Sequence, residues 1–282
     1  MDGERLFCDT ALAARIDRAE ARLTAESSDA AGGAGFARPL AGGLASFAEA
    51  DSPFNKIIGL GFDGLPDPEE LAEVEQAFAE RGAPVQVELS QLAGSAAGAF
   101  FTARGYRLES FENVLGRRLA GQDHPADVRL IGDAELEPWL AMVADATAVA
   151  DTEGLPAHED FPRETLIRAL RGMAGVRRYV AVREGEFAGG ASFRVTDGIA
   201  QFTGAATVPR FRRQGVQTAL LRARLAAAAQ AGCDVAVVTT QPGSKSQQNV
   251  QRQGFDLLYA RAILVKGVSS TSSSGADSRQ AS

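Results

Sequence analysis

Val208-Pro209-Arg210-Phe211-Arg212-Arg213-Gln214-Gly215-Val216-Gln217-Thr218-Ala219-Leu220-Leu221 decides how the rest of the chain is read. It follows a strand-like run, Ile199 to Val208, and leads directly into an Ala- and Leu-rich helical run ending near Ala231. Three arginines, a glutamine and a glycine crowd the turn between them. A helix start leaves backbone N–H groups without intrahelical partners and carries the positive end of the dipole. Such a place suits an anion, above all a phosphate. Gly215 lets the backbone approach a ligand with no Cβ in the way, and Arg212 and Arg213 add charge-assisted donors. The alternative reading is a solvated basic turn ahead of a core helix.

Composition narrows the choice. The chain has 282 residues, 45% of them hydrophobic, which supplies material for one large or two ordinary domains. No apolar run reaches the length of a membrane span. Met1 to Arg5 lacks the basic and apolar regions of a signal peptide, so the cytoplasm is the expected compartment. Cys8 and Cys233 have neither metal-type spacing nor a disulfide pattern, and no metal is expected. Residues 1–120 carry a net charge of −8 and residues 121–282 of +1, without the broad basic face of a nucleic-acid binder. The arginine turn stands out locally against an acidic chain, which favours a small anionic ligand.

Patterning predicts a helix over Thr10 to Glu26, an Ala/Gly-rich loop over Asp29 to Gly43, and a strand over Lys56 to Phe62. A helix from Pro68 to Arg81, a strand from Val85 to Leu89, a helix near Ala96 to Arg104 and a strand from Arg107 to Leu115 follow. Gly121 to Asp127 reads as a linker. Beyond it come a strand over Val128 to Ile131, a helix capped by Asp133 and running to about Val149, and a charged loop from Asp151 to Asp160. A helix near Pro162 to Met173 precedes three meandering strands, Arg178 to Arg183, Phe187 to Thr196 and Ile199 to Val208. After the helix opened by the arginine turn come a strand over Val235 to Thr239, a short helix opened by Ser244, and a last strand over Phe255 to Val265.

The halves repeat weakly. Arg81-Gly82-Ala83-Pro84-Val85-Gln86-Val87 aligns with Ala231-Gly232-Cys233-Asp234-Val235-Ala236-Val237, and Gly105-Tyr106 with Gly254-Phe255, offset by about 150 residues. They differ at the helix start. The first half has Asp67-Pro68-Glu69-Glu70, a capping sequence whose own carboxylates occupy the dipole and repel an anion.

Arg212-x-x-Gly215-x-Gln217 after a strand resembles the acyl-CoA pyrophosphate loop of the GNAT superfamily of N-acetyltransferases, Gln/Arg-x-x-Gly-x-Gly/Ala, with Gln217 departing at the last position. Ser244-x-x-Gln247, Asn249 and Gly254-Phe255 are similar to the family's next helix and its closing turn. The resemblance covers about Val128 to Lys266. It implies an α/β (α+β) fold of two GNAT-like units, each a mixed, mostly antiparallel sheet flanked by helices. Residues 1–120 would be a degenerate unit without a pyrophosphate loop, 121–268 the acetyltransferase domain, and 269–282 a disordered Ser-rich tail.

Further implications concern chemistry. Acetyl-CoA would be the co-substrate, and a small-molecule or peptide amine would attack it directly. Arg212, Arg213, Gln214, Gly215, Val216, Gln217 and Thr218 would cradle the pyrophosphate, Ala206 and Val208 would hold the pantetheine arm, and Asn249 would contact it. Where many members carry a tyrosine to protonate the departing thiolate, this chain has Val250, and Tyr259 is the nearest replacement. Asp151, Glu153, His158 and Glu159 occupy the loop where the family places its acceptor. The rival reading is an acyl-CoA-binding sensor or assembly protein without turnover.

Overall fold

This computed structural model describes residues 5–31, 35–119, 127–149 and 161–267. The first half runs α1 (Thr10–Ala31), β1 (Phe36–Leu40), β2 (Gly43–Phe47), β3 (Lys56–Ile58), α2 (Pro68–Ala79), β4 (Val85–Ser90), α3 (Ser95–Ala103) and β5 (Arg107–Arg118). The second runs β6 (Val128–Leu130), α4 (Leu136–Ala148), α5 (Arg163–Gly172), β7 (Arg177–Arg183), β8 (Glu186–Thr196), β9 (Ile199–Thr207), α6 (Val216–Gln230), β10 (Val235–Thr240), α7 (Lys245–Arg252) and β11 (Asp256–Lys266). No helix among the described residues is long and apolar enough to cross a membrane. The expected linker, Gly121 to Asp127, lies almost wholly outside the described residues, as does the tail.

The eleven strands among the described residues join one mixed, mostly antiparallel sheet in the order β1-β2-β3-β4-β11-β5-β10-β9-β8-β7-β6. The sequence predicts a sheet for each half; the halves share one because their last strands are interleaved. β11 lies between β4 and β5, while β5 lies between β11 and β10. Each half also contains one parallel pair bridged by a helix: β3 and β4 through α2, and β9 and β10 through α6. A parallel pair needs such a crossover, and the crossover helix starts at the C-terminal end of its first strand. The two helix starts are therefore equivalent places in the two halves.

They are finished differently. At α2 the Asp67 carboxylate accepts from the amides of Glu69 and Glu70, at 2.8 and 3.3 Å, as its capping sequence predicts. At α6 the N-cap is Gly215, with φ +78°, and no side chain caps the helix. The buried face of α6 carries Val216, Leu220 and Leu221 against the sheet, each worth about 1.5–3 kcal/mol of burial.

Several elements depart from the pattern: α1 runs on to Ala31, β2 is a strand where none is expected, and β3 ends at Ile58 instead of Phe62. β1 falls inside the segment read as a loop: it is a short edge strand containing Pro39, which only an edge tolerates. It is held by Phe36 packing on Phe47 and Phe78. Asp133 opens a 3₁₀ turn, and α4 starts at Leu136. The Glu135 carboxylate accepts from the Gly132 amide at 2.8 Å and pairs with Arg129, fixing that tighter turn.

α1 covers the junction of the halves. Ile16 packs with Val114 of β5, Ile199 of β9, Val235 and Val237 of β10, and Tyr259 of β11. Charge is buried there too. Arg261 of β11, fully buried, donates to Asp17 (2.6 Å), Glu20 (2.6 Å) and Glu88 (3.3 Å). Lys56 donates to Glu88 at 2.7 Å. Burial pushes Asp17 up more than Arg261 pulls it down, whereas Arg261 and Lys56 hold Glu20 low despite its burial. Glu112 is pushed up to about 8, by burial and then by Glu88.

Candidate functional site

β9 and β10 are paired only as far as Phe202↔Val238; past that point β10 stays with β5, and the two parallel strands part. β9 also carries a bulge where its register with β8 shifts between Gly190 and Ser192, and Gly204 sits inside it at φ +53°. The bulge turns the outer part of β9 away from β10. The gap holds a cavity of about 310 Å³. Thr203, Gly204 and Ala205 of β9, Val238 and Thr239 of β10, Gln217 and Arg224 of α6, and Ser246 and Val250 of α7 line it. Ile16, Glu20 and Leu23 of α1 close it from the other half.

Above the cavity lies the start of α6. The first intrahelical bond of this turn runs from the Ala219 amide to the Gly215 carbonyl at 2.9 Å, so the amides of Val216, Gln217 and Thr218 point outward from the helix end. Gly215 is exposed, and a Cβ there would meet no atom of the described residues within 4 Å. Its left-handed backbone, not crowding, is what demands glycine. Arg213 also has positive φ, at +64°. Strain of this kind in a non-glycine residue gathers at ligand sites. The turn thus fits a pyrophosphate through uncapped amides, open space and a nearby cation.

The expected site residues divide. Gln217 and Asn249 are brought together: the Asn249 Nδ2 donates to the Gln217 Oε1, tying α7 to the first turn of α6 beside the cavity. The Arg212 guanidinium instead donates to the Ala146 and Val149 carbonyls, at 3.3 and 2.5 Å, closing the end of α4. Gln214 Nε2 donates to the Arg210 carbonyl at 3.0 Å, holding the turn. Arg213 stays exposed, with no ion pair among the described residues.

For the amides of β9 the ladder to β8 sets the direction. The Val208 amide already donates to the Ala188 carbonyl of β8 at 3.0 Å, and alternation along a strand turns the Ala206 amide the same way. By the same alternation the Thr207 amide is turned the other way, toward the β10 side. Tyr259 is likewise displaced from its expected role. It is 1% exposed, does not line the cavity, and its hydroxyl donates to Asp17 at 2.6 Å. Burial and then the Asp17 charge raise it well above the ordinary tyrosine range, so it keeps its proton. Val250 lines the cavity and offers no proton. Asp151, Glu153, His158 and Glu159 lie outside the described residues.

Ser244 caps α7 as its spacing predicts, accepting from the Gln247 amide at 3.1 Å. The Gln247 side chain accepts from the Gly243 amide at 2.7 Å and from Asn113 of β5 at 3.2 Å. Sequence reading missed α1 as a cavity wall and Arg224 as a lining residue. Arg224 carried a signal, a charge four residues from Leu220 and Ala228 on the buried face.

Residues 143–255 match the model of the acetyltransferase (GNAT) family. The chain is similar in structure to a GCN5-related N-acetyltransferase from Kribbella flavida: TM-score 0.63, 19% identity, 90% of this chain and 95% of that one covered. It is also similar to a tandem GNAT protein from the clavulanic acid biosynthesis pathway (TM-score 0.55, 13% identity, 80% and 78% covered). A GCN5-related N-acetyltransferase from Sphaerobacter thermophilus gives a TM-score of 0.52 at 13% identity, with 89% and 92% covered. No curated protein matches the chain in sequence.

Proposed function

Because the chain carries a GNAT acetyltransferase domain, whose fold supports acyl transfer in general, we propose that it moves an acetyl group from acetyl-CoA to an amine. The observation that carries this reading is the uncapped start of α6, opening directly onto a cavity between parted parallel strands. Bound there, an acyl-CoA supplies an activated thioester to the amine that enters the cavity.

The residues divide the work. Amides of Gly215 to Thr218 and the Arg213 guanidinium bind the pyrophosphate. The joined Gln217 and Asn249 flank the arm. The Thr207 amide donates into the gap where charge develops on the carbonyl oxygen, a device whose removal typically costs about 10²–10³ in rate. Water is thinned by Val238, Val250 and Leu221. No side chain of the described cavity wall is a ready acid for the thiolate, which leaves unaided or takes its proton from solvent.

Residues 121–268 would be the catalytic unit and residues 1–120 a degenerate partner, its pyrophosphate place filled by the Asp67 cap and its α1 closing the acceptor side. The test is thiol release from acetyl-CoA over a panel of primary amines. Amine-dependent release at a saturable rate is expected. Binding of acetyl-CoA with no release for any amine contradicts turnover and leaves an acyl-CoA sensor.

A further inference from the structure

Arg224 of α6 is 3% exposed. It sits among Ala and Leu residues, with its guanidinium carbon 4.5 Å from the centre of the Phe202 ring. Nε donates to the Leu220 carbonyl at 3.3 Å and Nη1 to the Ser192 carbonyl at 3.1 Å. Its Nη2 has no protein acceptor among the described residues, and no carboxylate among them pairs with it. The other buried arginines are by contrast paired, Arg261 with three carboxylates and Arg194 with Glu26.

A buried charge without a counter-charge is a standing expense to the fold, since desolvation is not offset by an ion pair. Burial draws the guanidinium down to about 9, which still leaves it charged at neutral pH. Arg224 lines the cavity, together with the polar side chains of Thr203, Gln217, Thr239 and Ser246. A guanidinium presents a planar fork that matches a carboxylate.

The missing anion is not the pyrophosphate. That group belongs at the first turn of α6, and Arg224 is eight residues beyond Val216, roughly 12 Å along the helix. Nor does Glu20, the acidic residue of the cavity lining, serve, because Arg261 and Lys56 already hold it. We propose that Arg224 receives the carboxylate of the acceptor, so that the acceptor is an amino-carboxylate: a molecule bearing both the attacking amine and an anionic carboxylate. This rests on the acyltransfer reading and narrows it to a substrate class.

The test uses the twenty common L-amino acids and their C-terminal carboxamides with wild type, Arg224→Met and Arg224→Lys. Both acetyl-CoA-dependent thiol release and the thermal shift caused by acetyl-CoA are measured. In wild type, acids are expected to exceed their own amides in kcat/KM by on the order of 10–100-fold, the worth of a buried charged hydrogen bond. Arg224→Met should erase that preference while the acetyl-CoA shift persists, and Arg224→Lys should keep part of it. Equal use of acid and amide by wild type, a preference that survives in Arg224→Met, or no acid accepted at all overturns the proposal. Its failure is separate from failure of the acyltransfer reading, which shows as the absence of any acetyl-CoA shift in wild type.

Discussion

Replacing Arg261 by methionine probes the junction where β11 is inserted between β4 and β5. The guanidinium is fully buried and serves two carboxylates of α1, Asp17 and Glu20, and one of β4, Glu88. Asp17 Oδ2 already lacks a hydrogen-bond partner among the described residues. Without Arg261, Asp17 keeps only the Tyr259 hydroxyl, and Lys56 alone faces Glu20 and Glu88. Removing one partner from a buried ionic cluster costs about 3–5 kcal/mol, which for a chain of this size lowers Tm by roughly 6–20 °C. The loss should be smaller at pH 5 than at pH 8. Carboxylates stripped of their counter-charge have raised pKa values in the folded state, so their contribution is present at low pH and lost as pH rises through those values. Adding Asp17→Asn should recover part of the loss, since it removes one orphaned charge. Urea melts at both pH values measure all three effects. A loss below about 1 kcal/mol, or one independent of pH, would refute the reasoning.

Glu112 gives a second pH signature. Its folded pKa of about 8 lies above the ordinary 4.5, so the stability it contributes is full below pH 4.5 and is lost as pH rises through about 8. Glu112→Gln should therefore raise Tm by several degrees at pH 8.5 and by little at pH 5, as differential scanning calorimetry would show. The two arginines of the turn should separate. Arg212→Ala removes the two hydrogen bonds that Nη2 makes to the end of α4 and should cost about 1 kcal/mol with acetyl-CoA affinity changed less than about threefold. Arg213→Gly relieves a left-handed backbone and should gain about 1 kcal/mol while weakening acetyl-CoA about tenfold, read by urea melts and calorimetric titration.

The strands and helices of the second half were legible because their signals are local: glycine turns between alternating runs, and a helix start without a capping side chain. The same reading placed Asp67 and Ser244 as caps, and both cap. What was not legible depends on partners far apart in sequence. Interleaving of β5 and β11 leaves no mark in either strand, and it alone explains why Asn113 meets Gln247 and why Asp17 meets Arg261. Tyr259 drew attention by its place in the chain, but the face of β11 it occupies is set by α1. Amide direction in β9 hinges on the ladder to β8, so Val208 and Thr207 could not be told apart from side-chain identity. Arg212 and Arg213 are alike in sequence and differ only because α4 ends beside Arg212.

The most direct test of the central claim is calorimetric titration of acetyl-CoA into wild type and Gly215→Glu. A side chain at Gly215 is strained by φ +78° and places a carboxylate in the open space above the α6 amides. The expected result is micromolar binding to wild type, weakened at least about 100-fold in Gly215→Glu by backbone strain and charge repulsion. Equal affinity in the two proteins would contradict a cofactor held at the start of α6, and no binding to wild type would remove the acyl-CoA claim altogether.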